Sequence, residues 1–298
     1  MSSTLTQSST RFADYFELCK PRVVALMILT SIVGMFLSVP GMVPLDVLLI
    51  GNLGIALVSA SGAVVNHVID RRIDAVMART RRRPVAVGKI NPLLAVAFAL
   101  ALGVAGMALL LVFINPLCAW LTLAAFVGYA LIYTGFLKRA TPQNIVIGGI
   151  AGAAPPLLGW TAVTGQLDPN ALLLVLIIFA WTPPHFWALA IHRREEYAQV
   201  DVPMLPVTHG VRYTQLHIIL YTVLLIAATL LPVATSMAGL LYLVGALVLG
   251  AVFLYWSIAL YLGWHPQAAI ETFKYSVVYL MALFVVLLVD HYFFLPLT

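Results

Sequence analysis

The chain reads as nine long apolar runs separated by short polar segments. The runs cover approximately 23–40, 46–69, 93–113, 117–137, 143–163, 171–192, 214–234, 238–262 and 274–295. Each is close to the ~20 residues that an α-helix needs to cross a bilayer. Breaker clusters such as Val39-Pro40-Gly41, Asn115-Pro116 and Asp168-Pro169-Asn170 fall between them. The pattern predicts an all-α, polytopic membrane bundle of nine transmembrane helices. It forms one integral-membrane domain over residues 1–298, with residues 1–22 as a polar tail.

Composition and charge sharpen this picture. Of 298 residues, 62% are hydrophobic and 9% charged, against roughly 25% charged in soluble domains. Such a chain is neither a soluble enzyme, a disordered segment nor a nucleic-acid module. The net charge of +5 is therefore read as topology. Nine spans place Arg11, Lys20, Arg22, Arg71, Arg72, Arg79, Arg81, Arg82, Arg83, Lys89, Lys138, Arg139, Arg193, Arg194, Arg212 and Lys274 on one side, which is every Lys and Arg of the chain. The other side carries Asp46 and Asp168. The positive-inside rule then makes the N-terminus cytoplasmic and the C-terminus external, in a cell inner (plasma) membrane. Residues 1–22 lack a hydrophobic core, so no cleavable signal peptide is expected. Cys19 and Cys118 fall at opposite faces, too far apart for a disulfide.

Two loops on the basic side hold most of the candidate chemistry. Asn66, Asp70 and Asp74 are spaced i, i+4, i+8, so a helix continuing past the membrane edge sets them on one face over roughly 12 Å. Two carboxylates and an amide oxygen suit a hard cation such as Mg²⁺, which keeps waters and shares phosphate ligands. The arginine cluster that follows suits phosphate oxygens, because guanidinium forks bind them in pairs. Arg81 and Arg82 read better as topology or anionic-lipid contacts. The second loop, from Arg193 to Pro206, brings Arg194, Glu195, Glu196 and Asp201 to the same side. Two acid clusters with basic partners suit a diphosphate held through metal. A proton pump or transporter would need ionisable groups at several depths instead.

Proline pairs interrupt two spans. Pro155-Pro156 follows the small-residue run Gly148-Gly149-Ile150-Ala151-Gly152, and Pro183-Pro184 lies inside the sixth span. Both helices are expected to break, and broken helices in lipid line cavities. His185 follows the second pair about two turns inside the membrane and is a candidate pocket residue. His209, His217, His265 and His291 read as interfacial. Zinc-type spacing is absent.

These motifs resemble the UbiA superfamily of intramembrane prenyltransferases. The resemblance rests on Asn66-xxx-Asp70-xxx-Asp74 followed by Met77-Ala78-Arg79-Thr80-xx-Arg83-Pro84. It extends to Tyr133 through Thr141, Asn144 through Trp160, and Pro183-Pro184-His185-Phe186-Trp187, and covers roughly residues 15–290. Within the superfamily it is nearest the branch that prenylates haem. The resemblance implies nine helices around a central cavity open to the cytoplasmic face. It implies Mg²⁺ as cofactor on Asn66, Asp70 and Asp74, with catalysis by these three and Lys138. Arg79, Arg83, Lys138 and Arg194 would bind diphosphate, and Glu196 and Asp201 would form a second acidic motif. The implied substrates are farnesyl diphosphate and haem B, with His185 as the candidate haem-binding residue. A haem A synthase or terminal oxidase assembly is the implied partner. Transfer to a small aromatic such as 4-hydroxybenzoate is the alternative acceptor chemistry. Two departures from the superfamily pattern are His67, where many members carry Asp, and the adjacent pair Glu195-Glu196 in place of spaced aspartates.

Overall fold

The computed structural model describes residues 12–296, so Arg11 and the first eleven residues of the expected tail lie outside it. Within that span every regular element is a helix. The elements are α1 (Phe12–Leu18), α2 (Pro21–Leu37), α3 (Val47–Val76), α4 (Pro92–Ile114), α5 (Pro116–Ala140), α6 (Asn144–Gly152), α7 (Pro155–Thr164), α8 (Pro169–His192), α9 (Arg194–Ala198), α10 (Leu205–Thr208), α11 (Val211–Ala234), α12 (Leu240–Leu262) and α13 (Ala268–Tyr292). Among the described residues eight segments are long and apolar enough to cross a membrane, with α6 and α7 together counting as one. The pair α1 and α2, bent by 52° at Cys19-Lys20, brings the number to nine when counted as one span. The protein is a multi-pass membrane protein.

Local chemistry explains where several helices begin. Asn91-Pro92, Asn115-Pro116 and Asp168-Pro169 each place a capping side chain before a proline that has no N–H to leave unsatisfied. The side-chain oxygens accept from the amides of Leu93 (2.8 Å), Cys118 (2.9 Å) and Asn170 (2.8 Å). Gly165 and Gly263 end α7 and α12 with φ of 65° and 70°, a left-handed conformation that costs glycine little. The N-terminus of α12 is capped from another helix. Fully buried Asp290 of α13 accepts from the amides of Gly239 (2.6 Å) and Tyr242 (3.0 Å).

The two proline pairs behave differently. The fifth span is broken at Ala153-Ala154, and α7 starts on Pro155 as expected. The sixth span is not broken: α8 runs unbroken through Pro183 and Pro184. The two prolines withhold two ladder donors, and neighbouring helices hold the segment in compensation. Trp181 Nε1, for example, donates to the Ser276 carbonyl of α13 at 2.7 Å. The last span also starts earlier than its apolar run, at Ala268. Its first turns carry the Glu271–Lys274 ion pair.

Helix α2 lies against α7 through two glycines. A Cβ on Gly34 would fall 2.1 Å from the Pro156 carbonyl oxygen, and one on Gly159 2.0 Å from that of Ser31. These contacts are backbone to backbone, the close approach that small residues permit between membrane helices. Helix α8 packs against α11 and α13, and the main apolar core lies there, around Leu174, Ile177, Tyr279 and Phe284.

Candidate active site

The helix α3 continues past the apolar run to Val76, as the spacing predicts. Asn66, Asp70 and Asp74 lie on its inward face. The two acids are only 1% and 3% exposed. Buried carboxylates need partners, and here each has a cation. Lys138 Nζ donates to Asp70 Oδ2 at 2.6 Å, and Arg83 Nη1 donates to Asp74 Oδ2 at 2.7 Å. Asn66 Nδ2 donates to Asp70 Oδ2 at 2.8 Å and to Thr134 Oγ1 at 3.2 Å. Thr80 Oγ1 donates to the backbone oxygen of Asp74 and ties the loop to the helix end.

A third cation was counted only as topology in the sequence. Lys20, at the bend between α1 and α2, donates to Asn66 Oδ1 and reaches the Tyr129 hydroxyl at 3.4 Å. Its one sequence signal is its place immediately before the proline that opens the first span, level with the basic loops. Lys138 and Thr134 arrive on α5, whose residues Val127–Leu137 are wound as a π-helix. Such windings recur at functional sites.

The second loop folds onto the first. Met77 shares one apolar cluster with Tyr197, Val202 and Met204. The Tyr197 hydroxyl is pushed above its usual pKa by burial, against the opposing pull of nearby Arg79, Arg193 and Arg83. Arg193, rather than Arg194, pairs with Glu196. Arg194, Glu195, Asp201 and Arg79 are exposed, and Asp201 has a left-handed φ of 52°. The buried pairs thus gather Asn66, Asp70, Asp74, Arg83 and Lys138. Arg79 and Glu196 stand close to them through Tyr197.

The donor set can be tested against a divalent cation. Asp70 Oδ1 and Glu196 Oε2 are buried with no hydrogen-bond partner. An orphaned carboxylate oxygen is costly unless something binds it. No three His, Cys, Asp or Glu side chains converge among the described residues. A transition-metal cage is therefore a poor fit. Two carboxylates and an amide suit Mg²⁺, which completes its shell with phosphate oxygens and water.

His185 lies deeper, on α8, stacked between Trp181 (ring centroids 4.2 Å apart) and Phe273 (4.6 Å). His67, beside Asn66, is buried with neither ring nitrogen partnered.

A sequence profile of the UbiA prenyltransferase family matches residues 27–289. The chain belongs to that family. Curated relatives support the assignment along the whole length of this prenyltransferase. It is 66% identical to protoheme IX farnesyltransferase 1 of Pseudomonas putida (strain W619) over 297 residues, covering 100% of both chains. It is 68% identical to protoheme IX farnesyltransferase of Azotobacter vinelandii over 285 residues, 96% of this chain and 95% of that one. Among solved structures, the fold matches a digeranylgeranylglyceryl phosphate synthase with a TM-score of 0.79 at 21% identity, over 94% of this chain and 98% of that one. It also matches a UbiA homolog from Archaeoglobus fulgidus bound to GPP and Mg²⁺, with a TM-score of 0.63 at 15% identity, over 92% and 99% of the two chains.

Proposed function

We propose that this chain transfers the farnesyl group of farnesyl diphosphate to a vinyl group of haem B, with addition of water, giving haem O and diphosphate. The observation that carries the reading is the α3 site: an unpartnered Asp70 oxygen beside Lys138 and Arg83, on a chain two-thirds identical to protoheme IX farnesyltransferases. Asn66, Asp70 and Asp74 would hold Mg²⁺, as a Mg²⁺ ion accompanies GPP in the Archaeoglobus homolog. When bound, the ion supplies a Lewis acid that draws charge onto the leaving phosphate oxygens.

The chain's own residues do the rest. Lys138, Arg83 and Lys20 hold the diphosphate, and Arg79, Arg193 or Arg194 and the Glu196 loop close over it. These fixed cations stabilise the negative charge that develops as the allylic C–O bond breaks and its electron pair passes to the diphosphate. The apolar helix faces above the site keep water from the farnesyl cation until the vinyl carbon attacks it. A C–C bond then forms, and the positive charge moves to the carbon beside the porphyrin. Water adds there and loses a proton, so no strong base is required. His185 would lie against the haem, with its imidazole as donor to the iron.

In this reading the whole chain is one catalytic domain, the site faces a central cavity open to the cytoplasm, and the enzyme resides in the inner membrane. Haem O is too apolar to leave through water, so a haem A synthase or terminal oxidase assembly would receive it within the bilayer. The test is product analysis. Membranes containing this chain, given haem B, farnesyl diphosphate and Mg²⁺, should form haem O and release diphosphate. A prenylated 4-hydroxybenzoate with no haem O would replace the acceptor, and flux without diphosphate release would remove the reaction.

A further inference from the structure

Ser276 of α13 is a hub for two residues of α8. Its carbonyl oxygen accepts from Trp181 Nε1 at 2.7 Å, and its hydroxyl lies 2.6 Å from His185 Nδ1. The same hydroxyl donates to the carbonyl oxygen of Phe273, also at 2.6 Å. A serine has one hydroxyl proton. With that proton spent on Phe273, the oxygen can only accept from His185, so the imidazole proton must sit on Nδ1.

That assignment has a consequence for the other nitrogen. Nε2 then carries the lone pair. It has no hydrogen-bond partner, and it is not sealed in, since His185 keeps 8% of its surface open. The ring is also held against rotation. Trp181 stacks on one side with its ring plane tilted by 20°, Phe273 stacks at 29°, and Phe186 meets the ring edge-on with centroids 4.9 Å apart. Stacking covers the ring faces and leaves the Nε2 edge accessible. Imidazoles that bind metals are commonly arranged this way, with the second nitrogen donating to a fixed acceptor that sets tautomer and orientation.

We infer that Ser276 is the positioning residue of His185: it fixes the Nδ1–H tautomer and presents the Nε2 lone pair to the iron of the incoming haem. The inference rests on the haem reading above for its ligand. The tautomer itself can be measured without any ligand. Ser276 touches neither substrate in this scheme and acts only through His185.

The experiment has two arms on the full-length protein in nanodiscs. In the first, ¹⁵N-histidine spectra are recorded without haem, and the His185 signals are assigned by their loss in His185→Gln. The wild-type ring should be protonated on Nδ1 and bare on Nε2. Ser276→Ala should give a mixture of tautomers, and Ser276→Thr, which keeps a hydroxyl, should restore the wild-type pattern. In the second arm, haem B is titrated and its Soret band followed. Ser276→Ala should weaken haem binding by roughly ten- to a hundredfold and shift the band, with farnesyl diphosphate affinity unchanged. A wild-type ring protonated on Nε2 overturns the inference outright. So does a Ser276→Ala titration that overlays the wild type while His185→Ala shifts it. A band unmoved by His185→Ala refutes the haem placement instead, and the first arm then tells the two failures apart.

Discussion

Replacing Asp70 with asparagine separates the proposed metal role of this carboxylate from its role in holding the fold. The side chain keeps its shape, and its carbonyl oxygen can still accept from Lys138 Nζ at the present 2.6 Å. The amide's NH₂ then takes the place of the unpartnered Oδ1 and turns a donor toward any cation. Loss of one partner from a fully buried ion pair costs about 3–5 kcal/mol. The Lys138 side chain is 15% exposed and can swing toward water. The stability loss should therefore be nearer 1–2 kcal/mol, and the protein should stay folded. Turnover should suffer more. Removing one group that stabilises charge in a transition state typically lowers kcat by about 10²–10³, or roughly 3–4 kcal/mol. Binding should move the other way. Three cations (Lys20, Arg83, Lys138) face two carboxylates here, and the variant leaves only Asp74 to oppose them. Metal-free affinity for farnesyl diphosphate should hold or rise. The assay is haem O formation by chromatography across a Mg²⁺ titration, beside calorimetric binding of farnesyl diphosphate without Mg²⁺. Wild-type turnover with unchanged Mg²⁺ dependence would refute the reasoning. A fall in metal-free affinity that parallels the fall in turnover would refute it equally.

Three further outcomes are expected. Gly159→Ala forces a methyl against the Ser31 carbonyl, which is backbone and cannot turn aside. It should lower thermal stability by about 1–3 kcal/mol, whereas Gly152→Ala, which meets open space, should be nearly neutral in the same melt. Asp290→Ala strips two amides at the start of α12 of their acceptor and should cost about 2–4 kcal/mol. Asp290→Asn should cost less, and turnover per folded molecule should match the wild type in both. A cysteine at Asp168 should react with an impermeant thiol reagent from outside the cell, and one at Arg82 should not; reversed labelling would invert the proposed orientation.

The sequence was most informative where a single segment decides the outcome. Apolar run length located the spans, because length and hydropathy are what a bilayer selects. Asn115-Pro116 and Asp168-Pro169 marked boundaries between spans because breaker residues are neighbours in the chain. Asp70 and Asp74 were legible because both sit on one helix. Features that depend on another helix were not legible. Lys20 reaches Asn66 only after the chain has crossed the membrane and returned. The choice of Arg193 over Arg194 as partner of Glu196 follows from how the short helix α9 is rotated, and adjacent arginines look alike in a list. Pro183-Pro184 suggested a break that the packing of α8 on α11 and α13 suppresses. Asp290 caps the start of α12 from α13, a role that only the packing of the two helices assigns.

Asp70 and Asp74 lie in the last two turns of α3, beside the basic loops, so the proposed reaction would keep its diphosphate at one end of the span. Moving one elementary charge across a membrane potential of 100 mV takes about 2.3 kcal/mol, so a multiply charged diphosphate drawn through the bilayer would face a voltage-dependent toll of several times that. A site at the end of a span would spare it. In the proposed reaction the diphosphate would arrive, be cleaved and depart on one side of the field. Its binding and release would then be uncoupled from the membrane potential.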